Sequence, residues 1–362
     1  MQPEFSPEIS SESGTNTTPD ALAKRWAELK AEHDHLRIRD AAQQLGVAEV
    51  QLLATQCGKE ATRLTGSWPD LLVLVSDVKV NAMALTRNDA CVIELSGRYP
   101  KPEVHGESGL AIGNPIDLRF FFKHWEKAFA LSEVMRGKLR HSLLFFDASG
   151  EAVHKIYFLD EELGGREPFE RLIAPFIAAN QGKSEVIKPL FAETTEPDFS
   201  QHENFLEAWG NMEGPHDFAS LLSAFNIDRL SAVQWAEGTY VDRVPNDSFR
   251  KLLNDAKEKE LPIMVFVGNP GCLQIYSGTV KHIADRGPWF NVLDPHFNLH
   301  LMEPMIHSCW RVNKPLGKDS VHALELYSES GLHILTMYGK RKPGEQELPQ
   351  WRESILSIRA DS

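Results

Sequence analysis

The chain has 362 residues, 42% of them apolar and 25% charged, the composition of a soluble globular protein with two domains or one large one. Its formal net charge of −13 argues against nucleic acid or an anionic membrane surface as partner. Cys57, Cys91, Cys272 and Cys309 lack CxxC or CxxCH spacing, so neither a zinc site nor a covalent cofactor attachment is signalled. No basic-then-apolar leader opens the chain and no apolar run is long enough to span a bilayer, so a cytoplasmic protein without membrane insertion is expected.

Residues 1–20, rich in Ser, Thr, Pro and Glu, are expected to form a disordered tail. Helical periodicity follows. Leu22, Trp26 and Leu29 give one amphipathic helix, residues 38–45 a second that ends at Gly46, and residues 47–53 a third. After Trp68-Pro69-Asp70 the character changes, and 71–75, 82–85, 91–95 and 116–122 are predicted strands. Residues 143–146 and 154–158, joined at Asp147-Ala148-Ser149-Gly150, have the pattern of a hairpin. A helix is predicted over 168–179 and a linker over 181–200.

Beyond the linker the order repeats. Asn88, Cys91, Ser96 and Gly97 align with Asn269, Cys272, Ser277 and Gly278 at a constant shift of 181 positions. The same shift relates Phe146, Gly150 and Tyr157 to Tyr327, Gly331 and Tyr338, and Asp117 and Arg119 to Asn298 and His300. One ungapped shift over about 70 residues marks a tandem duplication. The predicted fold class is α+β, each half a three-helix group followed by a large antiparallel β-sheet. The predicted organisation is a tail (1–20), an N-terminal repeat (21–180), a linker (181–200) and a C-terminal repeat (201–362). Duplicated halves with diverged equivalents tend to build their site where they meet; Arg119 and His300 are such an unlike pair, although ordinary drift at a solvent-facing strand position also accounts for them.

Common catalytic signatures are absent: no phosphate loop, no GxSxG elbow, no HExxH and no EF-hand loop. His296 and His300 stand four apart on a predicted strand, yet no third metal ligand sits at a recognisable spacing. Cys91 and Cys272 have the character of core thiols, and Trp289 that of packing. The most informative stretch is 213–230. Phe218, Leu221, Leu222 and Phe225 recur at helical spacing, with His216 on the opposite side beside Ser220 and Ser223. The positive end of a helix dipole disfavours imidazolium there, leaving a neutral ring able to bind a metal. Alone, such a histidine is equally a capping or exposed residue. The cations Arg229, Lys314 and Arg341, near aromatics in the second half, are on spacing alone solvated surface charges.

Three segments carry a resemblance that changes this weighing. They are residues 263–278, running from Ile263 through Gly268-Asn269-Pro270-Gly271-Cys272 to Gly278, residues 114–122, containing Asp117-Leu118-Arg119-Phe120-Phe121, and Met337-Tyr338-Gly339-Lys340-Arg341 with the downstream Gln350-Trp351-Arg352. With them the chain, from about residue 22 to its end, resembles the cytoplasmic hemin-degrading factor or hemin transport protein family (HemS-like). The resemblance implies a non-covalent haem b in a cleft between the halves. His216 matches the proximal iron ligand and Arg119 the distal arginine. Arg229, Lys314, Tyr338 and Arg341 match polar residues around the haem edge and propionates, and Phe121 and Phe266 match aromatic pocket walls. It further implies a place in bacterial haem uptake, with a haem-uptake transporter as donor and a haem oxygenase or other acceptor as recipient. The competing implication is an enzyme that itself opens the porphyrin, with Arg119 as the catalytic donor. A duplicated scaffold binding a different ligand is the third. Where some relatives carry a histidine on the strand at 91–95, position 93 is Ile93, so no second haem ligand is expected there. Thr336 stands where some relatives have a glutamine. His202 is expected to be a mobile, exposed histidine, with an alternative-ligand role as the sharper reading.

Overall fold

The computed structural model describes residues 18–33, 36–135, 137–159, 166–189, 198–214, 217–317, 319–342 and 344–360. Helices α1 (Pro19–Glu32), α2 (Ile38–Leu45) and α3 (Glu49–Ala54) precede strand β1 (Ala61–Leu64) and helix α4 (Trp68–Asp77). Strands β2 (Asn81–Arg87), β3 (Cys91–Arg98), β4 (Glu103–His105), β5 (Ser108–Ile112) and β6 (Asp117–Phe121) follow. Then come β7 (Lys127–Met135), β8 (Lys138–Phe146), β9 (Ala152–Phe158) and helix α5 (Arg166–Ile173). The second half repeats the series: α6 (His202–Gly210), α7 (Phe218–Phe225), α8 (Arg229–Trp235), β10 (Val241–Val244) and α9 (Ser248–Glu258). Its sheet strands are β11 (Ile263–Asn269), β12 (Cys272–Gly278), β13 (Ile283–Arg286), β14 (Trp289–Asp294) and β15 (Phe297–Met302). They continue as β16 (Ser308–Leu316), β17 (Asp319–Tyr327) and β18 (His333–Gly339), before α10 (Pro349–Leu356). The α+β class and the tandem repeat expected from the sequence are both present.

Three sequence expectations need correction. Residues 71–75, predicted as a strand, lie inside α4. A continuous apolar run does not distinguish strand from buried helix. The deciding features are Ser67, whose hydroxyl accepts from the Asp70 N–H, and Pro69 in the first turn. Leu71, Leu72 and Val75 then fall on one helical face and are fully buried, each worth about 1.5–3 kcal/mol relative to exposure. The second correction concerns the sheets, because neither belongs to one half. The first runs β1-β7-β8-β9-β2-β3-β15-β14-β13 and the second β10-β16-β17-β18-β11-β12-β6-β5-β4. Each half therefore lends three strands to the other's sheet, and α5 ends at Ile173 where a helix to 179 was predicted.

Strands β2 and β3 face β11 and β12 across a shared core. Along β11 the inward Ile263, Val265 and Val267 are buried while Met264, Phe266 and Gly268 are partly exposed, the alternation of a sheet with one covered face. Two asparagines fasten the sheets. The Asn88 side-chain amide donates to the carbonyls of Gly268 (3.1 Å) and Ile334 (2.8 Å), and Asn269 donates to those of Arg87 (2.9 Å) and Val153 (2.8 Å). Each oxygen caps its own turn, accepting from Ala90 and Cys91 N–H for Asn88 and from Gly271 and Cys272 N–H for Asn269. Donors and acceptors are related by the 181-residue shift, so the clamp has two-fold character. Between them the Thr86 hydroxyl bonds Gln274 Oε1 at 2.8 Å, and Cys91 and Cys272 are core thiols as expected, with no exposure.

Asn88→Ala would strand two carbonyls and two turn N–H groups, most of them buried. The expected loss is about 2–4 kcal/mol in the urea-unfolding free energy, against under about 0.5 kcal/mol for the exposed control Lys24→Ala.

Candidate functional site

Paired residues in neighbouring strands share a face of the sheet, and this places the residues singled out from the sequence. Lys314 lies on β16 and pairs with Val321 of β17. Glu325 opposes Thr336, which opposes Phe266, which opposes Ile275. Tyr338 opposes Met264, and Leu273 opposes Arg119. Alternation along each strand puts Lys314, Glu325, Tyr338, Phe266, Arg119 and Phe121 on one face of the second sheet. Arg119 and Phe121 come from the first half and reach this face only through the exchanged strand β6. The helices α6, α7 and α8 cover the β16–β17 end, packing Phe205, Trp209, Phe218 and Val233 with Trp310, Val312, Ala323 and Tyr327. Towards β11, β12 and β6 the face opens, with Met264, Phe266, Leu273 and Arg119 half-buried and Phe121 exposed.

Under the helices a buried carboxylate organises the charge. Glu325, fully buried, accepts from Arg229 Nε (2.9 Å) and Nη2 (2.7 Å), from Lys314 Nζ (2.8 Å) and from the Tyr327 hydroxyl (2.6 Å). Burial alone would raise its pKa. The charges of Arg229 and Lys314 outweigh that and hold the carboxyl well below its ordinary value. Lys314 also donates to the Tyr338 hydroxyl at 3.2 Å, and the Tyr338 ring meets Phe266 edge-on at 5.5 Å. Phe218, the first residue of α7, lies under the Lys314 ammonium (4.3 Å) and the Arg229 guanidinium (5.1 Å). Arg229 follows Asp228, which caps α8 by accepting from Ser231 N–H at 3.0 Å. His333, beside this group, donates to or accepts from Thr336 at 2.8 Å. Burial, reinforced by Arg229, brings its pKa down to about 3, so it is neutral at physiological pH.

These contacts correct the view of Arg229 and Lys314 as free surface charges: two cations share one anion and leave a net charge of +1. Glu325 was not anticipated. Its sequence signal is a carboxylate set between Leu324 and Leu326 in the apolar half of its strand, a pattern that demands a buried cation. Arg341 is not joined to the cluster; its Nη1 donates to the carbonyls of Lys342 (3.3 Å) and Glu345 (3.1 Å), closing its own loop. Arg119 is half-buried and paired with Asp117, also donating to the Leu118 carbonyl at 3.0 Å. Burial, partly offset by Arg119, raises the Asp117 pKa.

His216 and Pro215 lie outside the described residues. Their flanks are well defined. Asp217 Oδ2 accepts from the N–H of Glu213 (2.8 Å) and Gly214 (3.1 Å), and α7 starts at Phe218. The first-turn reading of His216 therefore falls outside the described residues; in sequence it stands two positions before Phe218, whose ring covers Lys314 and Arg229. His202 is neither exposed nor free. It opens α6, and its Nε2 meets the Trp235 carbonyl at 2.8 Å. His296 and His300 do not pair: His296 is exposed beside the Ser96 carbonyl (3.2 Å), while His300 Nδ1 meets Asn291 Oδ1 at 2.6 Å. Among the described residues no helix is long and apolar enough to cross a membrane.

The Haemin-degrading HemS.ChuX domain family matches the chain twice, over residues 46–176 and 226–357. Hemin transport protein HemS of Yersinia enterocolitica is 35% identical over 341 residues, covering 93% of this chain and 97% of that one. The crystal structure of holo-PhuS, a heme-binding protein from Pseudomonas aeruginosa, superposes with a TM-score of 0.89 at 36% identity, over 95% of this chain and 99% of that one. ChuS, described as an E. coli heme oxygenase, superposes with a TM-score of 0.81 at 30% identity, over 93% and 99%. With a duplicated domain match, relatives of this identity along nearly the whole length and the same exchanged-sheet fold, the chain belongs to the HemS/ChuX family of haemin-handling proteins.

Proposed function

We propose that this chain is a cytoplasmic haem carrier of a bacterial haem-uptake system, binding one haem b non-covalently on the open face of the second sheet. The observation that carries the reading is the shared face itself. An apolar strip of Met264, Phe266 and Leu273 runs between a net-positive cluster at one end and Arg119 at the other. That chemistry fits an amphipathic macrocycle with two carboxylates. The strip covers its apolar body. Arg229 Nη1 and the Tyr338 O–H, which have no acceptor among the described residues, are donors left over for a propionate. His216 is the proposed iron ligand, in the segment leading into Phe218, with Arg119 across the face. Arg341, held by its own loop, is assigned a secondary role at the rim. The proteins described as hemin transport protein and heme-binding protein support the same cargo here. A haem-uptake transporter and a haem oxygenase or other acceptor are the proposed partners.

A second reading, haem degradation, is favoured by Arg119 and by the relative described as a heme oxygenase. A guanidinium held half-buried on the binding face can polarise a ligand at the far side of the iron. If this protein is an enzyme, Arg119→Ala abolishes catalase-resistant degradation in the presence of a reductant. Colour loss that catalase suppresses in the wild type marks peroxide bleaching and removes this reading.

Optical titration of the apo-protein with hemin should give a one-to-one Soret shift. In His216→Ala the affinity should fall about tenfold or more, or the band should change form. Binding untouched by the substitution removes His216 as ligand, and no saturable shift in either protein removes the haem assignment.

Glu325→Gln leaves Arg229 and Lys314 without their anion, so it should cost about 3 kcal/mol or more in urea unfolding at neutral pH. The folded carboxyl titrates below its unfolded value of about 4.3. Its contribution is therefore complete above that pH and fades as pH falls through the lower folded pKa. The gap between wild type and variant should close as the unfolding series is taken into acid.

A further inference from the structure

The first sheet carries a cavity on the face that corresponds, by the repeat, to the one just described. It has a volume of about 310 Å3 and is lined by Arg37, Arg87, Arg286, Trp289, Asn291 and His300, with Asp40, Val92 and Leu293 completing the wall. The strand exchange builds it. Val92 on β3 pairs with His300 on β15, which pairs with Asn291 on β14, so its floor comes from both halves. Arg37 precedes α2, Arg87 ends β2 and Arg286 ends β13. Three guanidiniums from three elements thus converge on one opening.

Their lack of partners is the informative part. The chain has 51 acidic and 38 basic residues, so carboxylates are plentiful. Arg39, on the same helix as Asp40, finds both Asp89 and Glu151. Yet among the described residues Arg37, Arg87 and Arg286 form no ion pair. The Arg87 side chain reaches only the Asn88 carbonyl, at 3.3 Å. Asp40 is the one carboxylate in the wall. Glu94 stands beyond His300, at 4.0 Å from its Nε2 and 3.3 Å from Asn298 Nδ2. The floor is fixed: Asn291, buried, donates to the carbonyls of Ala284 (3.0 Å) and Trp289 (2.9 Å), and its oxygen meets His300 Nδ1. His300 sits in this positive surrounding with its pKa lowered, by burial first and by Arg37 and Arg286 in addition, against the opposing pull of Glu94.

We propose that this cavity is a binding site for a small multivalent oxyanion, a phosphate-bearing or polycarboxylate molecule held by Arg37, Arg87 and Arg286 above His300. Guanidiniums match such groups bidentately, and the volume lies at the small-molecule end of the usual range. Trp289 supplies a flat apolar wall for any organic part of the ligand. This site is separate from the face assigned to haem and stands or falls without it.

The test is calorimetric titration of the full-length, haem-free chain with inorganic pyrophosphate and, separately, citrate, at a constant ionic strength of about 150 mM. Saturable one-to-one binding of either anion is expected, and which one binds tells phosphate from carboxylate recognition. Arg286→Gln and Arg87→Gln should each weaken it about tenfold or more, whereas Arg171→Gln, on the surface of α5, should leave it unchanged. The same anion should move the His300 ring titration to higher pH in NMR spectra, since a bound negative charge favours the imidazolium. Heats without saturation, binding that survives both arginine substitutions, or a His300 titration unmoved at saturation would each overturn the proposal. Circular dichroism of the variants separates lost binding from lost folding.

Discussion

Everything about the candidate site depends on two asparagines that hold each lobe to the other. Asn88 and Asn269 each spend the side-chain oxygen on their own turn and the amide on two carbonyls of the opposite lobe. A residue that closes a turn and bridges two lobes couples local geometry to the packing of the sheets, so the turns cannot shift without moving the interface. The exchanged strands complete the coupling. Because β6 joins β12 and β15 joins β3, neither sheet reaches its full width without strands from the other half. A side chain on β6 is then as rigidly placed on the second sheet as one of that sheet's own.

The duplication supplies two similar faces, and substitution has given them different chemistry. On the second sheet Glu325 gathers Arg229 and Lys314 into a net-positive cluster beneath Phe218. At the positions equivalent by the 181-residue shift, the first half has Leu144, Ala48 and Glu133. It places a buried pair, Lys155 with Glu49, near the same end. That pair is electrically balanced, each charge neutralised by the other. The negative end of an amphipathic ligand therefore has a counterpart at this end only on the second face, while on the first sheet the arginines that form no ion pair among the described residues lie at the other, exchanged-strand side. His300 and Arg119, equivalent in sequence, mark that divergence: one is a neutral ring over a hydrogen-bonded floor, the other a guanidinium tied to Asp117.

The Glu325 cluster also shows why cations near aromatics are poorly judged from spacing. In water two cations and one carboxylate would be three independent solvated charges. Buried, they form one unit in which each ion's desolvation is repaid only by the others, and the leftover donors of Arg229 and Tyr338 acquire fixed positions. A ligand carboxylate arriving there meets donors that need little reorganisation.

The sequence by itself determined the α+β class, the tandem repeat and the apolar face of α7, and through family resemblance it named His216, Arg119, Phe121, Arg229, Phe266, Lys314, Tyr338 and Arg341 as candidates. These are carried by periodicity and by local motifs, which act over a few residues. Only the tertiary structure decided that three strands of each half cross to the other's sheet, since an antiparallel strand carries no local mark of which edge it will join. Only it decided that residues 71–75 are helical, where an unbroken apolar run hid the helical period, and that Glu325 lies between Arg229 and Lys314, contacts that span 96 and 11 positions. Arg119 could be named from its motif, but its place on the second sheet's open face is a property of the strand exchange alone.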